Sequence, residues 1–349
     1  MPGRRTRDLI ESAKARRRQW QRKPIAATTQ LSTEPTVYFL TPDWEHASGG
    51  VRLMYRHVDE LNAAGVKAAA LHQKPGFRYR WFDNATVVTD EKSTAIAPND
   101  VVVIPEMDVD RVALTPLPIK HIVLNQSGHM TWRRYGDVTA AHLSSSRELL
   151  GIVCVSEHSA QLLEYAFPRI PVRRIRGAVD AEIFNLGPLR RRERVIGYLP
   201  RRGGGDTDLV TRMLASKGLP DGWRLDNING LGQRAFADRL RQCRIVISLS
   251  YQEGFGLPAA ESMACGAYVV GFHGFGGREF FRPEFSSAVE TGDVLAAAQA
   301  VDAAIANDEA EDGWCVERGR RASEFILGAY SVANETEDVL RVYPELIHG

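Results

Sequence analysis

The sequence predicts an α/β chain built from two doubly wound parallel-sheet domains. Short apolar runs rich in β-branched residues alternate with helical patterns from Thr36 onward, and this alternation is typical of βαβ units. The 349 residues also exceed the size at which one hydrophobic core keeps growing. Hydrophobic content of 44% and charged content of 25% are ordinary for a globular protein. Because such sheets bind ligands beyond the carboxyl ends of their strands, the loops at those ends are the expected functional positions.

The elements of the first domain follow in order from Thr36. Residues 36–40 predict a strand, and Gly49-Gly50 precede a helix over about 51–64. A predicted linker at 185–193 contains Gly187-Pro188 and three arginines, and residues 194–199 then open the second sheet. Further strands are predicted at 66–71, 101–104, 122–125 and 152–155, with helices over about 156–165 and 290–307.

A basic arm precedes this body. Residues 1–34 hold nine basic and three acidic side chains, although the whole chain carries only +1. Each basic residue near an anionic membrane contributes about 1 kcal/mol of binding, so residues 4–23 are a candidate for docking on an anionic membrane surface or on nucleic acid. A solvated tail followed by a linker at 24–35 is the alternative.

Cysteine usage and hydropathy exclude several classes of protein. The four cysteines are scattered with no Cys-x-x-Cys or His/Cys cluster, which argues against structural zinc and a disulfide framework. No apolar run reaches the roughly 18 to 20 residues of a membrane span, and no signal-peptide core follows the basic start. We expect a cytoplasmic protein without a transmembrane segment, either free or peripheral on the inner face of the membrane.

The most informative segment is 250–266, in which two glutamates flank a glycine turn. The apolar run 244–249 before it predicts a buried parallel strand, so Glu253 lies just past a carboxyl end. Gly254 and Gly256 allow backbone angles and close approach that bulkier residues do not. The turn is therefore suited to bringing the backbone close to a ligand.

A helix is predicted to begin at this turn. Pro258 suits the first helical position, where its missing N–H costs nothing, and Gly266 ends the helix. The amide groups near Gly256 and Leu257 then point outward, where the positive helix end attracts a diphosphate. We place Glu261 in the first helical turn, within reach of a ribose hydroxyl.

This segment resembles the Glu-x7-Glu signature of the retaining GT-B glycosyltransferases of group 1, in which Glu-Gly-Phe-Gly-Leu-Pro precedes Glu-x-Met-Ala-Cys-Gly. The resemblance implies two Rossmann-like domains facing across a cleft, a nucleotide-sugar donor and a glycan or lipid-linked acceptor. It implies that Glu253 contacts the donor sugar and that Glu261 holds the ribose. The donor-binding residues that it implies are Gly254, Phe255, Gly256, Leu257 and Glu261.

The resemblance also divides the chain into functional segments. Residues 1–35 become the basic arm and linker, and 36–184 the acceptor-side domain. Residues 185–325 become the donor-nucleotide domain. The C-terminal helix, 326–349, is expected to pack back on the first domain.

Cations must neutralise the diphosphate as it leaves. A metal-bridging Asp-x-Asp between apolar residues at a strand end is not evident: Asp206-x-Asp208 lies in a glycine-rich polar loop, and Asp108-x-Asp110 is a weak exception. We therefore expect no metal and no cofactor. Arg201 and Arg202 follow the strand that ends at Leu199-Pro200, where the family places basic side chains against the phosphates. Arginine suits charge-assisted, bidentate contacts with phosphate.

Weaker candidates come from the first domain and from one later loop. Gly49, Gly50 and Arg52 resemble the amino-terminal glycine-rich loop of the family, which contacts the donor phosphates. His129 lies where family members carry a histidine facing the donor sugar, or Asn125 and Gln126 occupy that place. The loop at 273–279 resembles the family's Gly-x-x-Glu segment, and its Glu279 is expected to cap a helix.

The reaction predicted from this resemblance is transfer of a hexose-type sugar to a hydroxyl acceptor with retention, in glycan synthesis of the bacterial type. Glu253, Arg201 and Arg202 are the expected catalytic residues. We expect no covalent nucleophile, because Glu253 and Glu261 belong to one nucleotide-binding edge and do not face each other across the scissile bond. Two alternatives remain open: transfer to modified bases in DNA, and a non-catalytic module that binds nucleotide sugars.

Overall fold

The computed structural model describes residues 23–44, 48–133, 136–188, 192–200 and 204–349. The chain divides into two compact units. The first unit comprises the described residues of Met1–Val153 with Leu163–Arg173 and Tyr343–Gly349, and the second comprises those of Cys154–Leu162 and Arg174–Val342. The basic side chains that precede Lys23 lie outside the described residues.

A seven-stranded sheet in the order β3-β2-β1-β4-β5-β6-β7 underlies the first unit. Strand β1 pairs in parallel with both β2 and β4, and β4 pairs in parallel with β5. Every residue of β2, β4 and β5 is buried, which explains why the centres of these strands are apolar. The strands are β1 (Val37–Leu40), β2 (Ala68–His72), β3 (Val88–Asp90), β4 (Val101–Pro105), β5 (His121–Asn125), β6 (Leu149–Cys154) and β7 (Val172–Arg174).

Helices connect these strands. The longest is α1, whose glycine pair forms its first two positions and does not precede it as the sequence predicts. The residue before the helix, Ser48, has an extended backbone and is the N-cap. The helix therefore starts at Gly49, two residues earlier than the predicted start at residue 51. The helices of this half of the chain are α1 (Gly49–Ala63), α2 (Val109–Ala113), α3 (Gly136–Ser145) and α4 (Glu157–Ala166).

The second unit is built on a five-stranded sheet in the order β12-β11-β10-β8-β9. Strand β10 pairs in parallel with β8 and β11, and β11 with β12. The strands are β8 (Val195–Tyr198), β9 (Arg224–Asn227), β10 (Ile245–Leu249), β11 (Tyr268–Phe272) and β12 (Ser286–Val289). The helices are α5 (Gly204–Lys217), α6 (Gln233–Gln242), α7 (Leu257–Ala264), α8 (Val294–Ala310), α9 (Trp314–Ala329) and α10 (Val332–His348).

One hydrophobic cluster joins this second sheet to its helices. Ile247 and Val270 from the central strands and Val301 from α8 are fully buried within it. Every residue of the central strands β10 and β11 is buried, so helices are needed on both sides of the sheet. The predicted α/β class with two doubly wound parallel sheets is confirmed.

The segment predicted as a linker before β1 is held on the first unit. Ala27 forms a parallel bridge with Ile96, and the Thr28 amide donates to the Ile96 carbonyl oxygen at 2.9 Å. Ile25 is buried, and its amide donates to Thr115 Oγ1 at 3.0 Å. These partners are distant in sequence, which is why the composition of the segment gave no sign of them.

Among the described residues, no helix is both long enough and apolar enough to cross a bilayer.

Candidate functional site

Glu253 lies where the strand order of the second sheet reverses. The chain runs from β8 outward to β9 on one side and from β10 to β11 and β12 on the other. The carboxyl ends of β8 and β10 therefore flank the topological switch point, where open α/β sheets bind their ligands. Glu253 follows β10 by four residues and is 7% exposed.

The backbone of Glu253 is fixed by the loop that follows β11. Its amide donates to the Gly274 carbonyl oxygen at 2.8 Å, and it forms a parallel bridge with Phe275. A Cβ at Gly276 would overlap the Gly254 carbonyl oxygen, so the two loops approach more closely than a side chain permits. The pair of loops thus acts as one rigid support for the glutamate.

Phe275 adopts a backbone conformation that is rare for a bulky residue. Its φ is 67°, and Gln252 in the facing loop has a φ of 44°. The His273 ring accepts a hydrogen bond from the Phe275 amide at 3.0 Å through Nδ1. Non-glycine residues with positive φ cost roughly 1–3 kcal/mol and concentrate at functional sites.

The helix after Glu253 begins as the sequence predicts, with two corrections. Gly256 is its N-cap, with a left-handed φ of 99°, and α7 starts at Leu257. Pro258 is therefore the second helical residue, and Glu261 lies in the second turn, since the first turn holds no acidic residue. Gly266 has a φ of 81° just beyond the helix, which confirms it as the helix-ending residue.

Gly254 departs from the expected role of a positive-φ turn residue, because the positive φ values of this turn fall on Gln252 and Gly256. Gly254 instead supplies the carbonyl that Gly276 approaches. The Phe255 side chain is buried. The centre of its ring lies 5.2 Å from that of the Phe280 ring and 5.0 Å from that of the Tyr330 ring. Only the backbone of this residue is therefore suited to a ligand contact.

The predicted phosphate-binding cations, Arg201 and Arg202, lie outside the described residues. The strand that precedes them, β8, is the neighbour of β10 in the sheet. Among described cations, Arg278 belongs to the loop that supports Glu253, and its guanidinium lies 4.9 Å from the Phe275 ring centre. The only sign of this arginine in the sequence is its place in a glycine-rich loop.

A small cavity of about 140 Å³ adjoins this loop. The His158 ring stacks on Phe275 with centroids 5.1 Å apart. The cavity is therefore lined by both aromatic and charged groups, a combination that suits hydroxyl-rich ligands. Its lining residues are Glu157, His158, Gln161, Phe275, Arg278 and Glu279.

Glu279 caps a helix, as predicted. Its carboxylate accepts from the amide of Glu157, the first residue of α4, at 2.9 Å, and forms an ion pair with Arg174 at 2.6 Å. Burial raises the pKa of this carboxyl, and the Arg174 charge opposes the rise. The cap joins residues 122 positions apart in sequence.

Candidate residues of the first unit meet at the carboxyl edge of its sheet. The Gln126 side-chain amide donates to the Gly50 carbonyl oxygen at 2.9 Å, and a Cβ at Gly50 would overlap the Gln126 side chain. Gly49 and Gly50 thus form a helix start held by Gln126. Arg52 is half-buried one turn into the same helix.

The other two weaker candidates have local roles. Asn125 is buried, and its Nδ2 donates to Thr131 Oγ1 at 2.6 Å. His129 lies in a single 3₁₀ turn, Gly128–Met130, and its pKa is lowered by burial and by the charge of Arg133. Whether these residues face a donor sugar stays a prediction.

Glu106 is a residue that the sequence reasoning missed. It directly follows β4, is 7% exposed, and accepts from the Gln126 amide at 3.1 Å. Burial raises its pKa to about 7, helped by the negative charge of Asp108 and opposed by backbone hydrogen bonds. An acidic residue after an apolar strand was the available signal, but its burial depends on the packing of β4 against β5.

Comparison with known proteins bears on this arrangement. The family model of the glycosyl transferases group 1 matches residues 214–321, which include Glu253, Glu261 and the supporting loop. An α-1,6-glucosyltransferase of Actinobacillus pleuropneumoniae is 25% identical over 238 residues, covering 65% of this chain and 70% of that protein.

Solved structures share the fold at low identity. A mutant of S. aureus TarM, in complex with fondaparinux, alpha-GlcNAc-glycerol and UDP, has a TM-score of 0.57 and 16% identity; the match covers 72% of this chain and 56% of that one. Anabaena HepE in complex with UDP and glucose has a TM-score of 0.62 and 12% identity, over 89% of this chain and all of the other. Residues 214–321 are thus similar to the group 1 glycosyl transferases, and the two parallel-sheet units share the fold of these GT-B structures.

Proposed function

We propose that this glycosyltransferase moves a hexose-type sugar from a UDP-sugar to a hydroxyl acceptor with retention of configuration, in glycan synthesis. The observation that carries the proposal is the position of Glu253. Its backbone is fixed by Gly274 and Phe275 at the switch point of the second sheet, directly before the left-handed turn that opens α7. A nucleotide sugar needs these two features together, a carboxylate for sugar hydroxyls and a helix end for the diphosphate.

The choice of donor is supported by the relatives. HepE is described with UDP and glucose, TarM with UDP, and the Actinobacillus protein as an α-1,6-glucosyltransferase. We infer a UDP-glucose-type donor for this chain. A thermal-shift panel of nucleotide sugars tests the inference, because a ligand at about 100 times its Kd adds about 2.7 kcal/mol of apparent stability.

In the proposed mechanism, the helix opening near Gly256, with Arg201 and Arg202, stabilises charge on the departing diphosphate. The bond between the anomeric carbon and the phosphate oxygen breaks with its electron pair going to the diphosphate. The acceptor oxygen bonds to the anomeric carbon on the same face, and its proton passes to the diphosphate. Catalysis of this kind depends on electrostatic preorganisation and needs neither a covalent nucleophile nor a metal.

Replacement of Glu253 tests the function. We expect Glu253→Gln to lower kcat by about 100-fold or more, because an interaction aimed at the reacting sugar is lost. Glu290→Gln, an exposed carboxylate of the same unit, is the matched control and should keep full activity. Product formation is measured by chromatography with UDP-glucose as donor, and thermal unfolding verifies the fold.

Wild-type turnover by the folded Glu253→Gln protein would remove the assignment. The anomeric configuration of the product, read by NMR coupling constants, tests retention separately. Activity after treatment with EDTA tests metal independence.

A glycan or lipid-linked acceptor is proposed on the model of TarM, which is described with alpha-GlcNAc-glycerol. Docking through residues 4–23 on anionic lipid remains part of the proposal, and co-sedimentation with anionic and neutral vesicles tests it. Transfer to duplex DNA containing a hydroxymethylated base, assayed in parallel, tests the nucleic-acid alternative.

A further inference from the structure

The segment predicted as a linker at 185–193 contains a buried arginine that the proposed donor site does not use. Arg192 lies three residues before β8 and is 9% exposed. Arginine is rarely buried unless it is paired. The hydrogen bonds from its guanidinium to described residues all go to backbone carbonyl oxygens, and none goes to a carboxylate. The role of this cation is therefore to be sought in the backbone that it holds.

These carbonyl groups belong to the ends of two helices of the second unit. Arg192 Nη1 donates to the carbonyl oxygens of Cys243 at 2.9 Å and Leu240 at 3.4 Å, both at the carboxyl end of α6. Arg192 Nη2 donates to the carbonyl oxygen of Cys265, the C-cap residue of α7. The carboxyl end of a helix carries partial negative charge and unpaired carbonyl groups. One guanidinium thus joins two helix ends and satisfies their carbonyls.

Helix α7 depends on this contact more than α6 does. The last turn of α6 has basic residues of its own, Arg239 and Arg241, whereas the last turn of α7 has none. The next residue, Gly266, admits no side chain, because a Cβ there would overlap the Arg192 guanidinium. Arg192 therefore supplies a cation that the sequence of α7 lacks.

The backbone of Arg192 is fixed as well. Its carbonyl oxygen accepts from Arg244 Nε at 3.2 Å, and Arg244 forms a buried ion pair with Asp308. The Arg244 amide donates in turn to the carbonyl oxygen of Val195, the first residue of β8, at 3.0 Å. The guanidinium is thus anchored to the sheet, and it can hold α7 in one position relative to that sheet.

The opposite end of α7 is the proposed diphosphate site. The helix has eight residues, so its two ends lie about 12 Å apart. Residues 259–264 are all buried, so the helix has little freedom to bend between its ends. Binding groups must be held within about 0.5 Å of their productive positions. A displacement at Cys265 should therefore reach Gly256 and Glu261.

We propose that Arg192 is a positioning residue, which bridges the ends of α6 and α7 and thereby holds the Gly256 turn and Glu261 where they bind the donor. The inference rests on the proposed transferase function and adds a residue on which donor binding depends. Arg192 acts through α7 and lies at the end of the helix away from the donor. Its loss should therefore weaken donor binding and leave acceptor binding unchanged.

The test compares Arg192→Lys and Arg192→Met with a matched control, Arg194→Met. Lysine keeps the charge, but its single nitrogen cannot span two helix ends as the planar guanidinium does. Arg194 is half-buried and donates to the Asp221 carbonyl oxygen at 3.4 Å. With UDP-glucose as donor, we expect both Arg192 variants to raise the donor KM about 10-fold to 100-fold, because small displacements of binding groups have effects of this size. The acceptor KM at saturating donor, and both constants of Arg194→Met, should match the wild type.

A merely structural role for Arg192 predicts a different result. It would lower thermal stability but leave the donor KM of the folded protein unchanged, and that outcome would overturn the proposal. A wild-type donor KM in Arg192→Lys would overturn it as well, because the positive charge alone would then be sufficient.

Hydrogen exchange in the ligand-free protein gives a readout that needs no substrate. The amides of Ala259 and Ala260, in the first turn of α7, donate to the Gly256 carbonyl oxygen at 3.1 and 3.2 Å. In Arg192→Lys these amides should exchange about 10-fold faster than in the wild type and in Arg194→Met, because the opening of the helix becomes easier. Faster exchange confined to residues 265–267 would overturn the proposal. A wild-type protein that neither binds UDP-glucose nor transfers its sugar would instead contradict the proposed function, so the two failures are distinguishable.

Discussion

At the scale of single residues, the candidate donor site depends on positions where a side chain is excluded. Gly276 faces the Gly254 carbonyl so closely that a methyl group would overlap it. This approach is what allows Phe275 to pair with Glu253. The glycine is therefore required by packing between two loops, and its own backbone angles are not left-handed.

We expect Gly276→Ala to destabilise the protein by roughly 1–3 kcal/mol, because the two loop backbones must separate to admit the Cβ. Gly328→Ala is the matched control: it lies within α9 with no atom within 4 Å of a new Cβ. Alanine there should stabilise by about 0.5–1 kcal/mol. Urea denaturation measures both, and equal effects would contradict this account of the loop pair.

At the scale of elements, the first helix and the end of the last helix are joined within the first unit. His57 of α1 and Tyr343 of α10 are fully buried, and His57 Nδ1 lies 2.9 Å from the Tyr343 hydroxyl. Phe39 of β1 packs edge-on against the same tyrosine ring at 5.4 Å. The final residues of α10 are thus part of the core of the first unit.

Removal of one hydroxyl tests this connection. Tyr343→Phe should lower the free energy of unfolding by about 1–2 kcal/mol, because a buried hydrogen bond is lost while ring packing is kept. Tyr165→Phe, at a side chain that is 91% exposed, should change nothing measurable. A Tyr343→Phe protein as stable as the wild type would show that the hydroxyl contributes no net stability.

Elements were predicted where their signals are local. The apolar run 244–249 predicts β10, and the turn and helix-end residues Gly256, Pro258 and Gly266 predict α7. Both predictions depend only on neighbouring residues. The helix cap by Glu279 was anticipated, but its target, Glu157, was not. Such pairs depend on which strands become neighbours, and a single sequence does not specify that.

The burial of Glu106 was missed for the same reason. Nothing near it in sequence shows that Gln126 and Gly50 will surround it, since those residues come from β5 and α1. Glu261 was placed one turn too early because the left-handed Gly256 shifts the helix start to Leu257. Arg201 and Arg202 stay predictions, as do the segment boundaries drawn at 35, 184 and 325.

At the scale of the whole molecule, buried histidines should make the first unit sensitive to acid. Burial lowers the pKa of His57 to about 3 and that of His121 to about 4, and both histidines belong to the first unit. The folded pKa lies below the unfolded value of 6.5. As pH falls below 6.5, the unfolded chain takes up the proton first, so stability is lost down to about pH 3.

The sign of this effect is testable with one variant. Between pH 7 and pH 5, the wild type should lose about 2 kcal/mol more unfolding free energy than His57→Asn, which has no group to titrate there. Urea denaturation at the two pH values gives the difference. The same pH dependence in both proteins would show that His57 is already accessible to protons in the folded state.

The left-handed backbone of Gln252 and Phe275 has a consequence for directed evolution. A selection for heat resistance should favour glycine at either position, because glycine adopts such angles without steric cost. At Phe275, however, glycine would delete the ring on which His158 and Arg278 rest. Thermostable descendants that arise by this route should therefore be poorer enzymes, while those that change only Gln252 should retain turnover.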